Sequence, residues 1–268
     1  MRYSNKYLHD YGILRDYNGR GFKLVSLVLY RQAGIEDDSG KHYHTPKGEG
    51  GNKRKLVNNL SRTKSKIKEL CLCNPWQWFV TFTLDPQKYD RMNLSKFIKD
   101  LSQMIRDYRK RTGYPVKYLL IPEHHKDGCW HMHGLLLGLP ADELHAFSLS
   151  EHLPQRIRKR LQSGVQVYTW EEYASRFGYA SIEEIRNQEA VSGYIIKYIT
   201  KDALNTISEL NAHAFYASKG LERATIIHQD ILSQEIESPD FSNEHCAVKW
   251  FQDLEAAFVP FMEKTYDS

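Results

Sequence analysis

Two pairs of side chains in this sequence are spaced for chemistry. His131 and His133, in "DGCWHMHGLLLGLP", flank one apolar residue inside a run that otherwise reads as a core strand. Alternate residues of a strand share a face, so both imidazoles point to one side and Met132 to the other. Further on, "GYIIKYITKD" sets Tyr194 and Tyr198 four apart, one helical turn, with Lys197 and Lys201 as a second such pair on an adjacent stripe. Taken singly, each pair has a plain reading. The histidines could be hydrogen-bonded on a solvated sheet, and the tyrosines packed on a core.

A divalent ion needs two or three ligands converging on one point, with positions left open for water or substrate. The segment before the histidines, "VKYLLIPEHHKDG", reads as a strand and a turn. If the loop is Lys126-Asp127-Gly128, with Gly128 left-handed, Glu123 falls directly opposite His131. Cross-strand neighbours lie about 5 Å apart, close enough to share a metal. A two-residue loop would instead set Glu123 opposite Met132, on the wrong face, so the site depends on loop length. Two imidazoles and one carboxylate suit Mn²⁺ or Mg²⁺ bound to a substrate phosphate; zinc chemistry stays open. His124 and His125 read as turn or surface residues. His42 and His44 repeat the spacing in a polar loop, where Cys71 and Cys73 could join them in a second site, although "ELCLCNPW" reads as buried cysteines behind a helix.

A tyrosine hydroxyl, with an ordinary pKa of about 10, is a weak nucleophile near neutrality. A metal that polarises a phosphate, with lysines nearby for the developing charge, would activate it. Together the two pairs form machinery for covalent phosphoryl transfer.

These groups must be positioned by an α+β domain. "WQWFVTFTLDP" reads as a strand, and "NLSKFIKDLSQMIRDYRKRTGYP" as an amphipathic helix with Asn93 as N-cap and Gly113 as stop. "VKYLLIPE" and "CWHMHGLLLG" read as a hairpin. Residues 141–186 read as more helical, with "TWEEYASRFG" and "SIEEIRN" as recognisable helices, and "EAVSGYIIKYITKDAL" as one more. Near the start, "YGILRDY" and "FKLVSLVLYRQ" read as paired strands. The order of strands and helices fits an antiparallel sheet and not βαβ units. Expected boundaries are 1–75 for N-terminal strands, basic loop and helix, 76–224 for the catalytic domain, and 225–268 for an acidic tail.

Charge supports a polyanionic partner. Residues 225–268 carry nine acidic and two basic side chains, leaving 35 basic against 24 acidic before them. Lys41 to Lys68 holds nine basic residues and one acid, and reads as a mobile loop leading into a short helix at about 61–72. The acidic tail could compete with DNA for that basic surface. No run is apolar enough to span a membrane, and four scattered cysteines fit a reducing cytoplasm. "GIEDDSGKH" fails as a phosphate-binding loop, having five residues between its glycines and His42 after the lysine.

"FVTFTL", "HMHGLLL" and "YIIKYITK", in that order, resemble the three motifs of the HUH endonucleases, the rolling-circle replication initiators of phages and plasmids. His131-Met132-His133 matches the histidine-hydrophobic-histidine motif, and Tyr194 and Tyr198 with Lys197 match the two-tyrosine form. "PEHHKDGCWHMHG", "RFGYASIEEIRN" and "SKGL" are similar to the phage-type branch. The resemblance spans residues 76–221. It implies an antiparallel sheet of about five strands flanked by helices, with the first two motifs on adjacent central strands. It also implies single-stranded DNA at a replication origin as substrate, often presented by a hairpin, and a metal-dependent nick that leaves a 5′-phosphotyrosine and a free 3′-OH. The second tyrosine would make the later cut and join. Glu123 matches the acidic ligand that some members place on the neighbouring strand. A host polymerase and, with no phosphate-binding loop here, a host helicase are the implied partners. Two rivals stand beside this reading: a single-tyrosine relaxase or transposase, and a DNA-binding replication protein that does not cut.

Overall fold

The computed structural model describes residues 11–27, 49–125, 127–188, 190–197, 214–243 and 246–263. The chain divides into two compact units, Lys53–Leu221 and a second formed by Met1–Asn52 with Glu222–Ser268.

In the Lys53–Leu221 unit, strands β3 (Trp78–Leu84), β4 (Lys117–His124), β5 (Trp130–Leu137) and β8 (Gly178–Glu184) form an antiparallel sheet in the order β8-β3-β5-β4. Two-residue strands β6 (His145–Ala146) and β7 (Tyr168–Thr169) widen it beyond β8, and β9 (Tyr216–Ala217) beyond β4, for seven in all. The expected mixed α+β class with a central antiparallel sheet is what forms; the short edge pieces account for the width beyond five. The β3 and β5 motifs lie side by side, as expected.

Period-two alternation gives this sheet two apolar faces. Val80, Phe82, Met132 and Leu136 pack beneath helix α2 (Leu94–Thr112), which contributes Phe97, Leu101, Met104, Ile105 and Tyr108. Asn93 caps that helix through its side chain at 2.9 Å from the Lys96 amide, and left-handed Gly113 ends it. Leu119, Ile121 and Leu135 occupy the opposite face and meet Ile67, Leu70 and Cys71 of α1 (Glu49–Cys73) and Ile195 of the helical residues 190–197, here α5. α1 is longer than the short helix expected from about Ser61: the Gly50-Gly51 pair, which suggested a loop, lies within it. Two short helices complete the unit, α3 (Gln155–Gln162) and α4 (Glu171–Arg176), the latter from the "TWEEYASRFG" segment.

The helix expected at "SIEEIRN" is corrected: residues 181–184 belong to β8, which pairs with β3 over seven positions. Gly178, Ala180 and Ile182 are buried while Tyr179 and Ser181 are not, a period of two that the short acidic stretch hid.

In the other unit, β1 (Tyr11–Asp16) and β2 (Phe22–Leu27) pair as expected, joined through left-handed Asn18 and Gly19. The acidic segment beyond 224, read as a tail, is folded in its described part. It supplies β10 (Thr225–Ile231), β11 (Phe241–Ser242), β12 (Cys246–Phe251) and helix α6 (Leu254–Phe258), in a five-stranded sheet of order β10-β1-β2-β12-β11. Its acids decorate an otherwise ordinary strand pattern. Leu14, Leu24, Leu232 and Ala257 form this unit's core.

Gly134, between the second histidine and the leucines of β5, admits no side chain: a Cβ there would collide with the Leu119 carbonyl and the Leu120 side chain. Gly134→Ala is therefore expected to destabilise the protein by about 1–3 kcal/mol through overpacking, read as a lower urea midpoint at unchanged slope.

Candidate metal centre and tyrosine cleft

The turn between β4 and β5 has the three-residue form. The His125 amide donates to the Cys129 carbonyl at 2.9 Å, the Gly128 amide donates to the His125 carbonyl at 2.9 Å, and Gly128 is left-handed at φ 82°. That loop sets the register: Glu123 stands opposite His131 and Ile121 opposite His133. On the other side of β5, Thr83 stands opposite His131 and Thr81 opposite His133. Met132 is fully buried on the α2 face.

Each imidazole is held by a threonine. Thr81 Oγ1 lies 3.1 Å from His133 Nδ1, and Thr83 Oγ1 lies 3.1 Å from His131 Nδ1. His133 Nε2 meets Glu123 Oε2 at 2.6 Å, a diagonal contact. His131 stacks on His125, ring centroids 4.0 Å apart, and His125 Nε2 is 3.4 Å from the same Glu123 oxygen. His125, expected as a turn or surface residue, thus stands against the site although its side chain is 45% exposed. His124 lies against Trp130 instead, 4.5 Å between centroids.

Burial depresses the pKa of both histidines, that of His131 to about 4. For His131, His125 and His133 add to the depression and Glu123 opposes it. For His133 the Glu123 carboxylate opposes burial, while the nearby Arg156 charge works with it. Near neutrality both rings are unprotonated, the form a metal requires.

Among the described residues no group of three His, Cys, Asp or Glu side chains is already drawn together around a metal position. Glu123 is engaged with His133, and His131 with His125. The donor set nonetheless fits a hard divalent ion. With the carboxylate accepting from His133 Nε2–H, Nδ1 accepts from the Thr81 hydroxyl. If Nε2 gave its lone pair to a metal, Nδ1–H would donate to the same hydroxyl. A threonine oxygen can play either part.

Tyr194, 42% exposed, lies beside this centre. The Phe79 ring bridges them, 5.3 Å edge-on from Tyr194 and 6.5 Å stacked from His133. Tyr194 borders an open cleft of about 530 Å³ together with Arg156, Arg160, Glu183, Arg186 and Asn187. Lys197 is the last described residue of α5; Tyr198, Lys201, His42 and His44 fall outside the described residues. Cys71 and Cys73 are buried in the last turn of α1, and burial pushes the Cys71 thiol up to about 12, against a thiolate ligand there.

Thr81, Thr83, Arg156 and Arg160 were not singled out in the sequence. A signal for the threonines was present: T-x-T in "FVTFTL" has the same period as H-x-H, and antiparallel pairing brings equal periods face to face.

Residues 77–203, just under half of the chain, match the model of a replication-associated protein family, that of ORF2 and the gene 2 protein. No curated protein and no solved structure matches. The family match supports a replication initiator, and the matched span holds both histidines, Glu123, Tyr194 and Tyr198. No helix among the described residues is long and apolar enough to cross a membrane.

Two outcomes follow. Thr81→Val, of similar shape but without the hydroxyl, should weaken Mn²⁺ binding about 10–100-fold in calorimetric titration, with little change in melting temperature. The metal-free protein should also lose stability as pH falls from about 6.5 towards 4. Over that window the unfolded chain takes up a proton at His131 that the folded chain refuses. His131→Gln should flatten that part of a stability-against-pH profile.

Proposed function

We propose that the protein is a rolling-circle replication initiator that nicks and rejoins single-stranded DNA at an origin through a phosphotyrosine. The observation that carries the reading is the convergence of His131, His133 and Glu123 on one sheet face, with Tyr194 one aromatic ring away. The family match to a replication-associated protein supports the same reading.

His131, His133 and Glu123 would hold Mn²⁺ or Mg²⁺. Such an ion polarises the non-bridging oxygens of a bound phosphodiester. The Tyr194 oxygen attacks phosphorus; the P–O3′ bond breaks, the 3′ oxygen takes up a proton, and the 5′ phosphate stays on the tyrosine. Lys197 and Lys201 stabilise charge that develops during transfer. Tyr198 attacks in the later step that transfers the strand and releases a circle. Phe79 fixes the Tyr194 ring by an edge contact, so the hydroxyl approaches from one direction and little orientation entropy remains to be lost.

The test uses wild type, Tyr194→Phe, Tyr198→Phe and the double variant. Each is incubated with Mn²⁺ and single-stranded oligonucleotides tiling the parent replicon, then run on a denaturing protein gel. A covalent band that needs the metal and disappears only in the double variant is expected. Loss in one single variant alone would indicate a single-tyrosine enzyme. Tight binding with no adduct on any strand would leave a DNA-binding protein that does not cut.

A further inference from the structure

The cleft beside Tyr194 is built by three elements: α3, the end of β8 with the residues after it, and α5. α3, "QRIRKRLQ", has no fully buried side chain and no acid of its own. Arg156 and Arg160 are four residues apart, so they project from one side of the helix about 6 Å apart along its axis. Both line the cleft, as does Arg186 across from them.

The two ends of this row face different chemistry. Arg156 acts electrostatically on His133, at the metal-ligand end. Arg160 interacts with Tyr194. Arg160 is also held by Glu183 of β8 in a two-pronged pair, its Nε donating to Oε1 at 3.0 Å and its NH2 to Oε2. Among the described residues neither Arg156 nor Arg186 has an acidic partner within ion-pair distance. Glu184 lies on the rim as a second acid. Three planar guanidiniums around an open trough, with the phenol at its edge, match the oxygens of an extended sugar–phosphate strand.

We propose that this cleft seats the phosphates of the single strand that flank the scissile bond. Arg156, Arg160 and Arg186 are the phosphate-binding side chains, and Glu183 is an internal competitor that keeps Arg160 until DNA displaces it. The inference rests on the reading of Tyr194 as the nucleophile and adds the track that delivers the strand to it. Arg156 and Arg160 act as positioning residues, since a strand pinned at two successive phosphates brings the intervening bond to one place. Exchange of a carboxylate for a phosphate on Arg160 conserves its charge pairing, so the exchange costs less than stripping the guanidinium bare.

The test measures fluorescence anisotropy of a fluorescein-labelled twenty-residue oligothymidylate across a salt series. Arg156→Gln, Arg160→Gln and Arg186→Gln should each reduce the slope of log affinity against log salt by about 0.7, the value for one single-strand phosphate contact. Arg156→Lys should keep the slope and lose affinity a few-fold. Glu183→Gln should tighten binding several-fold, and Arg160→Gln added to it should remove the gain. Lys110→Gln, on α2 against the opposite sheet face, is the control for general charge loss and should leave affinity and slope near wild type. Thermal melting of each variant reports folding separately. Unchanged slopes in the arginine variants, an equal drop with Lys110→Gln, or weaker binding with Glu183→Gln would each overturn the proposal. The Tyr194 chemistry is read separately: Tyr194→Phe should bind the oligonucleotide like wild type. Normal slopes with a full adduct yield in the Arg156→Gln/Arg186→Gln variant would sink the clamp and spare the nickase. Reduced slopes with no adduct from wild type would do the reverse.

Discussion

Everything at the candidate site depends on the register of β5 between its two neighbours. A strand's side-chain period is two, so a slip of one residue would turn His131 and His133 into the α2 core and bring Met132 out. Two independent restraints exclude that slip. On one side the loop closed by left-handed Gly128 fixes β4 against β5. On the other, Gly134 lets Leu119 and Leu120 approach at a point where no side chain fits. The rest of the unit takes its placement from this: leucines below the histidines bury one face, and α5 with Tyr194 lies over the continuation of the same face.

The chemistry of the site comes from the boundary between that apolar face and solvent. Deep burial strips water from His133, and partial burial does so for His131, which keeps both rings neutral. Full burial would leave no room for a substrate phosphate, while full exposure would leave rings that titrate near neutrality. The threonines complete this balance, because they satisfy the inner ring nitrogens without adding charge. A carboxylate in either place would raise the histidine pKa and compete with Glu123 for its role.

Local signals made much of this legible. The T-x-T and H-x-H strands, the hairpin with its three-residue loop, and α2 with both its caps were set by short-range patterns, and each has the expected form. The opposition of Glu123 and His131 followed from loop length alone. What escaped was set at longer range. "SIEE" becomes a strand because β3 has a free edge to pair, information held far earlier in the chain. His125 reads as a turn residue until its stacking on His131 is known. Arg156 and Arg160 look like an ordinary solvated helix until β8 and α5 enclose the space beside them. The acidic segment reads as a tail because charge dominates its composition, while its pairing partners lie at the other end of the sequence.

That last pairing has a consequence for the order of synthesis. β1 and β2 are made first, but their outer partners β10 and β12 come last. On the ribosome the opening hairpin must wait, and a lone hairpin in water is marginal at best. The intervening unit contains all the strands of its own sheet and can close as soon as it emerges. The molecule is thus assembled from the middle outwards, with long-range strand pairing as the slow final event.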